Sequence, residues 1–156
     1  IQHCVISLVI ETRKVFRMAL YNLFISHSWA YGDAYDKVTE MLDSQVKVNG
    51  FNYRNYSVPK NNPIHDAPSS AQLREAIRAQ IKPASVVVIL AGVYATYSKW
   101  INIEIELAKE MNKKILAIQP WAAEKTSTTV KDAAHKIVGW NSSSIVNGII
   151  TLVDNK

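Results

Sequence analysis

Short apolar runs alternate along this chain with stretches in which apolar residues recur every three or four positions. Leu23-Phe24-Ile25, ended by polar Ser26-His27-Ser28, predicts a buried strand. From Asp33 to Ser44, Tyr35, Val38, Met41 and Leu42 fall at helical spacing, with Asp36, Lys37 and Glu40 on the other side. Phe51–Val58, partly aromatic and β-branched, predicts a second strand that stops at Pro59. Lys60–Pro68 is dense in turn formers and predicts a long loop. Ser69 and Gln72 have capping-box spacing, and the helix they open would bury Leu73, Ala76, Ile77 and Ile81 before Pro83 stops it. Ser85–Ala91 is apolar at every position after the first, as in a central parallel strand covered on both faces. Ser98 is placed to cap a helix over Lys99–Asn112. Lys114–Ile118 predicts a strand, Glu124–Lys131 a polar connection, Ile137–Trp140 a short strand and Ser142–Val153 a last helix. Strand and helix alternate five times, which predicts an α/β domain with a parallel sheet, most commonly in the order 2-1-3-4-5.

Composition narrows the class. The chain has 156 residues and is 48% hydrophobic, enough for one globular domain and inconsistent with a disordered one. No apolar run approaches the ~20 residues of a membrane-spanning helix. Cys4 is the single cysteine, so neither an internal disulfide nor a zinc site of paired cysteines is possible, and a reduced, cytoplasmic setting is expected. The formal charge of +5 is scattered rather than gathered on one stripe, which argues against nucleic acid and suits a small anionic ligand. Residues 1–17, an apolar stretch followed by charges, reverse the order of a secretory signal and are expected to be a leader or upstream extension dispensable for folding. The domain is expected to span 18–156.

Ligands of open parallel sheets bind outside the carboxyl ends of the strands, where strand order reverses. In the order 2-1-3-4-5 that crevice lies between the first and third strands. The first would deliver Ser26, His27, Ser28 and Trp29; the third would lead through Tyr94 and Tyr97 into the helix carrying Trp100 and Glu104. Neither a Gly-x-Gly-x-x-Gly cradle nor a phosphate loop ending in Gly-Lys-Ser/Thr occurs, and His3, His27, His65 and His135 lack metal-ligand spacing. Glu104 has Trp100, Ile101, Leu107 and Ala108 as its helical neighbours, all apolar, whereas Glu106 has Asn102, Ile103, Lys109 and Glu110. One carboxylate is thus set into the apolar face and the other faces water. A buried carboxylate is either satisfied by a structural partner or held for use. His27 offers an acid, a base or a ligand contact; Ile64, His65 and Asp66 offer a substrate or partner contact in the long loop, or a plain turn.

These residues resemble a known family. Leu23-Phe24-Ile25-Ser26-His27-Ser28 is similar to the first strand of TIR-type domains, and Ser98-Lys99-Trp100 leading to Glu104 resembles their Trp-x-x-x-Glu signature. From Ser57-Val58-Pro59 through Pro120-Trp121 the chain looks like the bacterial and archaeal TIR-like subfamily related to the TIR proteins of the Thoeris antiphage system; the likeness covers about Ala19 to Val153. The resemblance implies a flavodoxin-like three-layer fold and cleavage of NAD+ at its nicotinamide–ribose bond, with NAD+ as substrate and no resident cofactor or metal. It implies ADP-ribose or a cyclic isomer as product, a separate effector that senses it, and a homo-oligomer in which Ile64, His65 and Asp66 belong to the assembly loop. By position, Glu104 matches the catalytic glutamate and Trp100 the motif tryptophan, while Ser26, His27, Ser28, Trp29 and Tyr97 fall where substrate would be lined. The end of the first strand departs from many animal and plant members, which place charged residues there. Two other readings stay open: an adaptor without activity, and an enzyme of the N-deoxyribosyltransferase kind.

Overall fold

The computed structural model describes residues 19–26, 33–57, 69–92, 98–120 and 126–155. In chain order they form β1 (Leu20–Ile25), α1 (Ala34–Asn49), β2 (Asn52–Asn55), α2 (Ser70–Ile81), β3 (Val86–Leu90), α3 (Lys99–Glu110), β4 (Lys114–Ile118), α4 (Thr128–Ala133), β5 (Lys136–Val138) and α5 (Ser142–Asp154). The five strands make one sheet in the order β2-β1-β3-β4-β5, and every pairing is parallel. The expected flavodoxin-like topology is therefore the observed one.

Side-chain alternation divides the core into two layers. Tyr21, Leu23 and Ile25 of β1, with Val86, Val88 and Leu90 of β3, face α1 and α5 and pack with Val38, Leu42, Ile145 and Ile149. Phe24 of β1, with Val87, Ile89 and Ala91 at and just past β3, faces α2, α3 and α4 and packs with Ile77, Ile81, Ile101, Leu107 and Val130. All five residues of β3 are buried, as a strand covered by helices on both sides requires.

Side-chain caps start four of the five helices, two of them, Ser69 and Ser98, where the sequence placed them. Ser69 Oγ accepts the Gln72 N–H at 3.2 Å, Ser98 Oγ the Ile101 N–H at 3.3 Å and Asn141 Oδ1 the Ser144 N–H at 2.9 Å. Three elements differ from expectation. Strand β2 covers Asn52–Asn55 rather than Phe51–Val58, and just past it the Asn55 Oδ1 accepts the Ser57 N–H at 2.9 Å in a local turn. Helix α1 runs on to Asn49 rather than ending near Ser44, because its last turns expose Val46 and Val48 and so break the amphipathic pattern. The supposed polar connection contains α4, which Ser127 caps by accepting the Val130 N–H at 3.3 Å. Only Val130 and Ala133 of α4 are buried, too few apolar positions to show a period. None of the described helices is long and apolar enough to cross a membrane.

Candidate active site

Helix α1, which follows β1, packs on one face of the sheet, and α3, which follows β3, packs on the other. In open parallel sheets the carboxyl ends of two such strands are where ligands bind. Ser26 stands there, one residue beyond β1. Its N–H donates to the Val88 carbonyl at 3.0 Å, which carries the β1–β3 ladder one step past the strand. Two residues after Phe24, its side chain falls on the α2–α3 face, and the residue is fully buried.

Helix α3 supplies the partner. Its buried stripe consists of Ile101, Glu104, Ile105, Leu107 and Ala108. Glu104 is the one charged residue in that stripe, and it is only 2% exposed. The Ser26 side chain favours the charged form of its carboxyl group. The second carboxyl oxygen, Oε2, is buried and has no partner among the described residues. Burial pushes the Glu104 carboxyl up to about 8, and Ser26 opposes that rise in part. A lone carboxylate in an apolar layer is unfavourable, so the group sits protonated until something stabilises its charge.

Glu106, two residues away, has an ordinary environment. It lies on the outer side of α3, where Arg74 of α2 donates to it at 2.8 Å. Arg74 also reaches Glu110, which Arg78 holds at 2.9 Å while pairing with Glu75 at 3.2 Å. These exposed pairs tie α2 to α3 across their solvent side.

Of the residues expected at the site, the structure brings Ser26 and Glu104 together. Trp100 lies in the first turn of α3, half-buried against the α2–α4 layer. His27, Ser28, Trp29, Ile64, His65, Asp66, Tyr94 and Tyr97 lie outside the described residues, as does the 1–17 segment. Two residues at this edge escaped the sequence reading. Ser57, just past β2, accepts the Ile25 N–H at 3.2 Å and pins the end of β1 from the other side. Ser127 donates its N–H to the Ala91 carbonyl at 2.9 Å, next to a bridge between Gly92 and Thr126, so the start of α4 is tied to the end of β3. Ser127, three residues before Val130, carried a capping signal that could have revealed both helix and position.

Comparison with known proteins bears on the same segments. The family described as the Thoeris protein ThsB, TIR-like domain, matches residues 24–125. No curated protein matches the chain. Similar solved structures include the CMP N-glycosidase BcmB of Clostridium botulinum, at 17% identity over 83% of this chain and 98% of that one, with a TM-score of 0.48. A 3-dehydroquinate dehydratase-like protein from Bifidobacterium longum aligns at 10% identity over 88% of this chain and 97% of that one, also with a TM-score of 0.48. The family match runs from Phe24 in β1 past the end of β4 and takes in Ser26 and the whole of α3. The chain belongs to the Thoeris ThsB TIR-like domain family.

Proposed function

We propose that this protein is a TIR-type NAD+ glycohydrolase or cyclase, which releases nicotinamide and makes ADP-ribose or a cyclic ADP-ribose isomer as an antiviral signal. The observation that carries the reading is Glu104: a buried carboxyl on the crevice side of α3, with Oε2 unpartnered among the described residues. NAD+ enters as substrate. Its C1′–N bond breaks with the electron pair moving to the positively charged pyridinium nitrogen, so the departing nicotinamide is neutral and needs no proton. The ribose left behind has oxocarbenium character, and a carboxylate beside it stabilises that charge, as one of the two carboxylates does in glycosidases. Water then adds at C1′ and releases a proton to give ADP-ribose; attack by a group of the same molecule gives a cyclic product instead.

In this reading Trp100, Tyr97 and the segment from Ser26 through Trp29 contact the substrate. Ile64, His65 and Asp66 act in assembly of a homo-oligomer, and a separate effector senses the product. The test sets two glutamates against each other in purified protein, with nicotinamide release from NAD+ followed by chromatography. Glu104→Gln keeps the shape and removes the charge, and turnover should fall by ~100-fold or more. Glu106→Gln disturbs one exposed ion pair, so turnover should stay within about threefold. Equal losses in the two variants would overturn the assignment. Absence of nicotinamide release from well-folded protein at high concentration would favour the adaptor reading, and release of bases from nucleosides alone the deoxyribosyltransferase one.

A further inference from the structure

We infer that Asn55 is a positioning residue for the substrate edge of the sheet: its amide ties the carboxyl end of β1 and the first turn of α1 to the end of β2. The inference rests on the glycohydrolase reading for the substrate that this edge meets, but the ties themselves stand independently of it. A backbone N–H can only donate, and Asn55 Oδ1 accepts that of Ser57 at 2.9 Å, so the amide nitrogen is turned the other way. That nitrogen, Nδ2, donates to the Tyr35 hydroxyl at 2.7 Å, in the first turn of α1. The Ser57 hydroxyl donates its single hydrogen to the same Oδ1. Its lone pairs are left to accept the Ile25 N–H, at 3.2 Å. Every hydrogen in this network therefore has an assigned direction.

The network begins where the backbone ladder between β1 and β2 gives out. The Tyr56 N–H reaches the Leu23 carbonyl at 2.8 Å; one step on, the Ile25 N–H is met by a side chain instead. On its other side the end of β1 is held by backbone, through the Ser26 N–H on the Val88 carbonyl at 3.0 Å. The strand end is thus fixed toward β3 by the ladder and toward β2 through one exposed asparagine. The fold does not depend on that asparagine. Helix α1 is anchored further along by Val38 and Leu42 in the core and by Tyr53, whose hydroxyl donates to Asp43 at 2.6 Å. Phe51 stacks on both Tyr21 and Tyr53, with ring centroids 5.2 and 5.8 Å away, and secures the other end of the same strands. A hydrogen bond between exposed groups competes with water and adds little stability, yet it still selects one arrangement of the groups it joins. Ile25 and Tyr35 stand on either side of the connection from β1 to α1, so one amide sets the spacing of both elements at the edge where parallel sheets bind ligands. An edge ordered in advance binds without a further ordering cost, so its loss should appear in affinity more than in the chemical step.

The experiment compares wild type with Asn55→Ala, Asn55→Asp and Ser57→Ala. Exchange of the Ile25 amide hydrogen is followed by NMR at neutral pH without substrate. Asn55→Ala and Ser57→Ala should each speed it about tenfold, with thermal midpoints lowered by no more than ~4 °C. Asn55→Asp keeps an oxygen for the Ser57 N–H and hydroxyl, and should hold the rate within about threefold of wild type. With NAD+, KM should rise about fivefold in Asn55→Ala and Ser57→Ala while kcat stays within about twofold, and Asn55→Asp should restore KM. Unchanged Ile25 exchange in Asn55→Ala would overturn the inference. Faster exchange with an unmoved KM would overturn it too, since the network would then serve structure alone. Loss of kcat together with a collapsed thermal midpoint would make Asn55 a residue of the fold and equally end the inference. Should Asn55→Ala fold poorly, Ser57→Ala cuts the same network at its other end and takes its place. A protein that neither binds nor cleaves NAD+ would fail the glycohydrolase reading, while exchange at Ile25 would still decide whether Asn55 holds the end of β1.

Discussion

At the scale of the single residue, Glu104 poses a problem of charge. The proposed chemistry uses a carboxylate, whereas burial holds the group protonated up to about pH 8 in the free protein. NAD+ brings a positively charged pyridinium ring, and an opposite charge close by lowers a carboxyl pKa. Binding and ionisation are then coupled. Since kcat/KM reports the free enzyme, it should rise roughly tenfold per pH unit below about 8 and level off above it. The rise in kcat should come at lower pH, because the bound cation has already favoured the charge. Initial rates between pH 5.5 and 9.5 check this. A kcat/KM that falls across the range would mean that the protonated acid is the working form. The position of Glu104 was legible because its four helical neighbours are apolar. Its neighbour was not. Ser26 could be placed with Glu104 only once the alternation of β1 and the packing of α3 on that face were known.

At the scale of elements, two helix positions show backbone demands that composition conceals. Gly148 lies where α5 crosses the sheet: a Cβ there would sit 2.9 Å from Val138 Cγ1 and 3.0 Å from Leu116 Cδ1. Alanine is the better helix former by ~1 kcal/mol, but overpacking costs about 1–3 kcal/mol, so the crowding should win. Gly148→Ala should lower the denaturation midpoint despite its higher propensity, and Gly148→Val should lower it more. A midpoint above wild type in urea titration would show that Leu116 moves aside freely. After α3, Asn112 adopts a left-handed conformation with φ of 53°. The Lys113 N–H bonds to Ala108 at 2.8 Å and the Asn112 N–H to Lys109 at 3.1 Å, which closes the helix in a Schellman motif. Asn112→Gly should keep or slightly raise the midpoint, since glycine takes this conformation without strain. The ends of α1 and the whole of α4 were poorly legible, because exposed valines extend one and the other has two buried residues.

For the whole molecule, stability depends on pH through groups at opposite ends of the range. Glu104 carries a folded value of about 8 against an ordinary 4.5, so the folded chain keeps a proton that the unfolded chain loses. Its stabilising contribution is complete below about 4.5 and is lost as pH rises toward 8. His135 acts in the other direction. Its Nδ1 accepts the Ile115 N–H at 3.0 Å, and partial burial, with the nearby charge of Lys114, holds its pKa below the ordinary 6.5. The unfolded chain therefore takes up that proton first, and stability falls as the medium is acidified below about 6.5. Between about 6.5 and 8 the wild-type thermal midpoint should decline; Glu104→Gln should remove that decline and keep the acid-side loss. Melting curves across the range check both limbs. The topology behind this behaviour was legible at the same scale: the unbroken apolar run at Val86–Ala91 marked the central strand, and alternation of strand and helix fixed a parallel sheet. The helix allotted to each face followed only from the packed layers.

The division of the sheet into two faces has a practical consequence for engineering. Ser26 and Glu104 belong to the layer of α2, α3 and α4, while α1 and α5 close the opposite layer, with a full sheet between them. Stabilising substitutions confined to the α1–α5 side should raise the melting temperature and leave the acid–base behaviour of the site untouched. That side is a chassis on which the protein can be hardened for trapping experiments, and the other is an instrument panel on which each change is read in the chemistry.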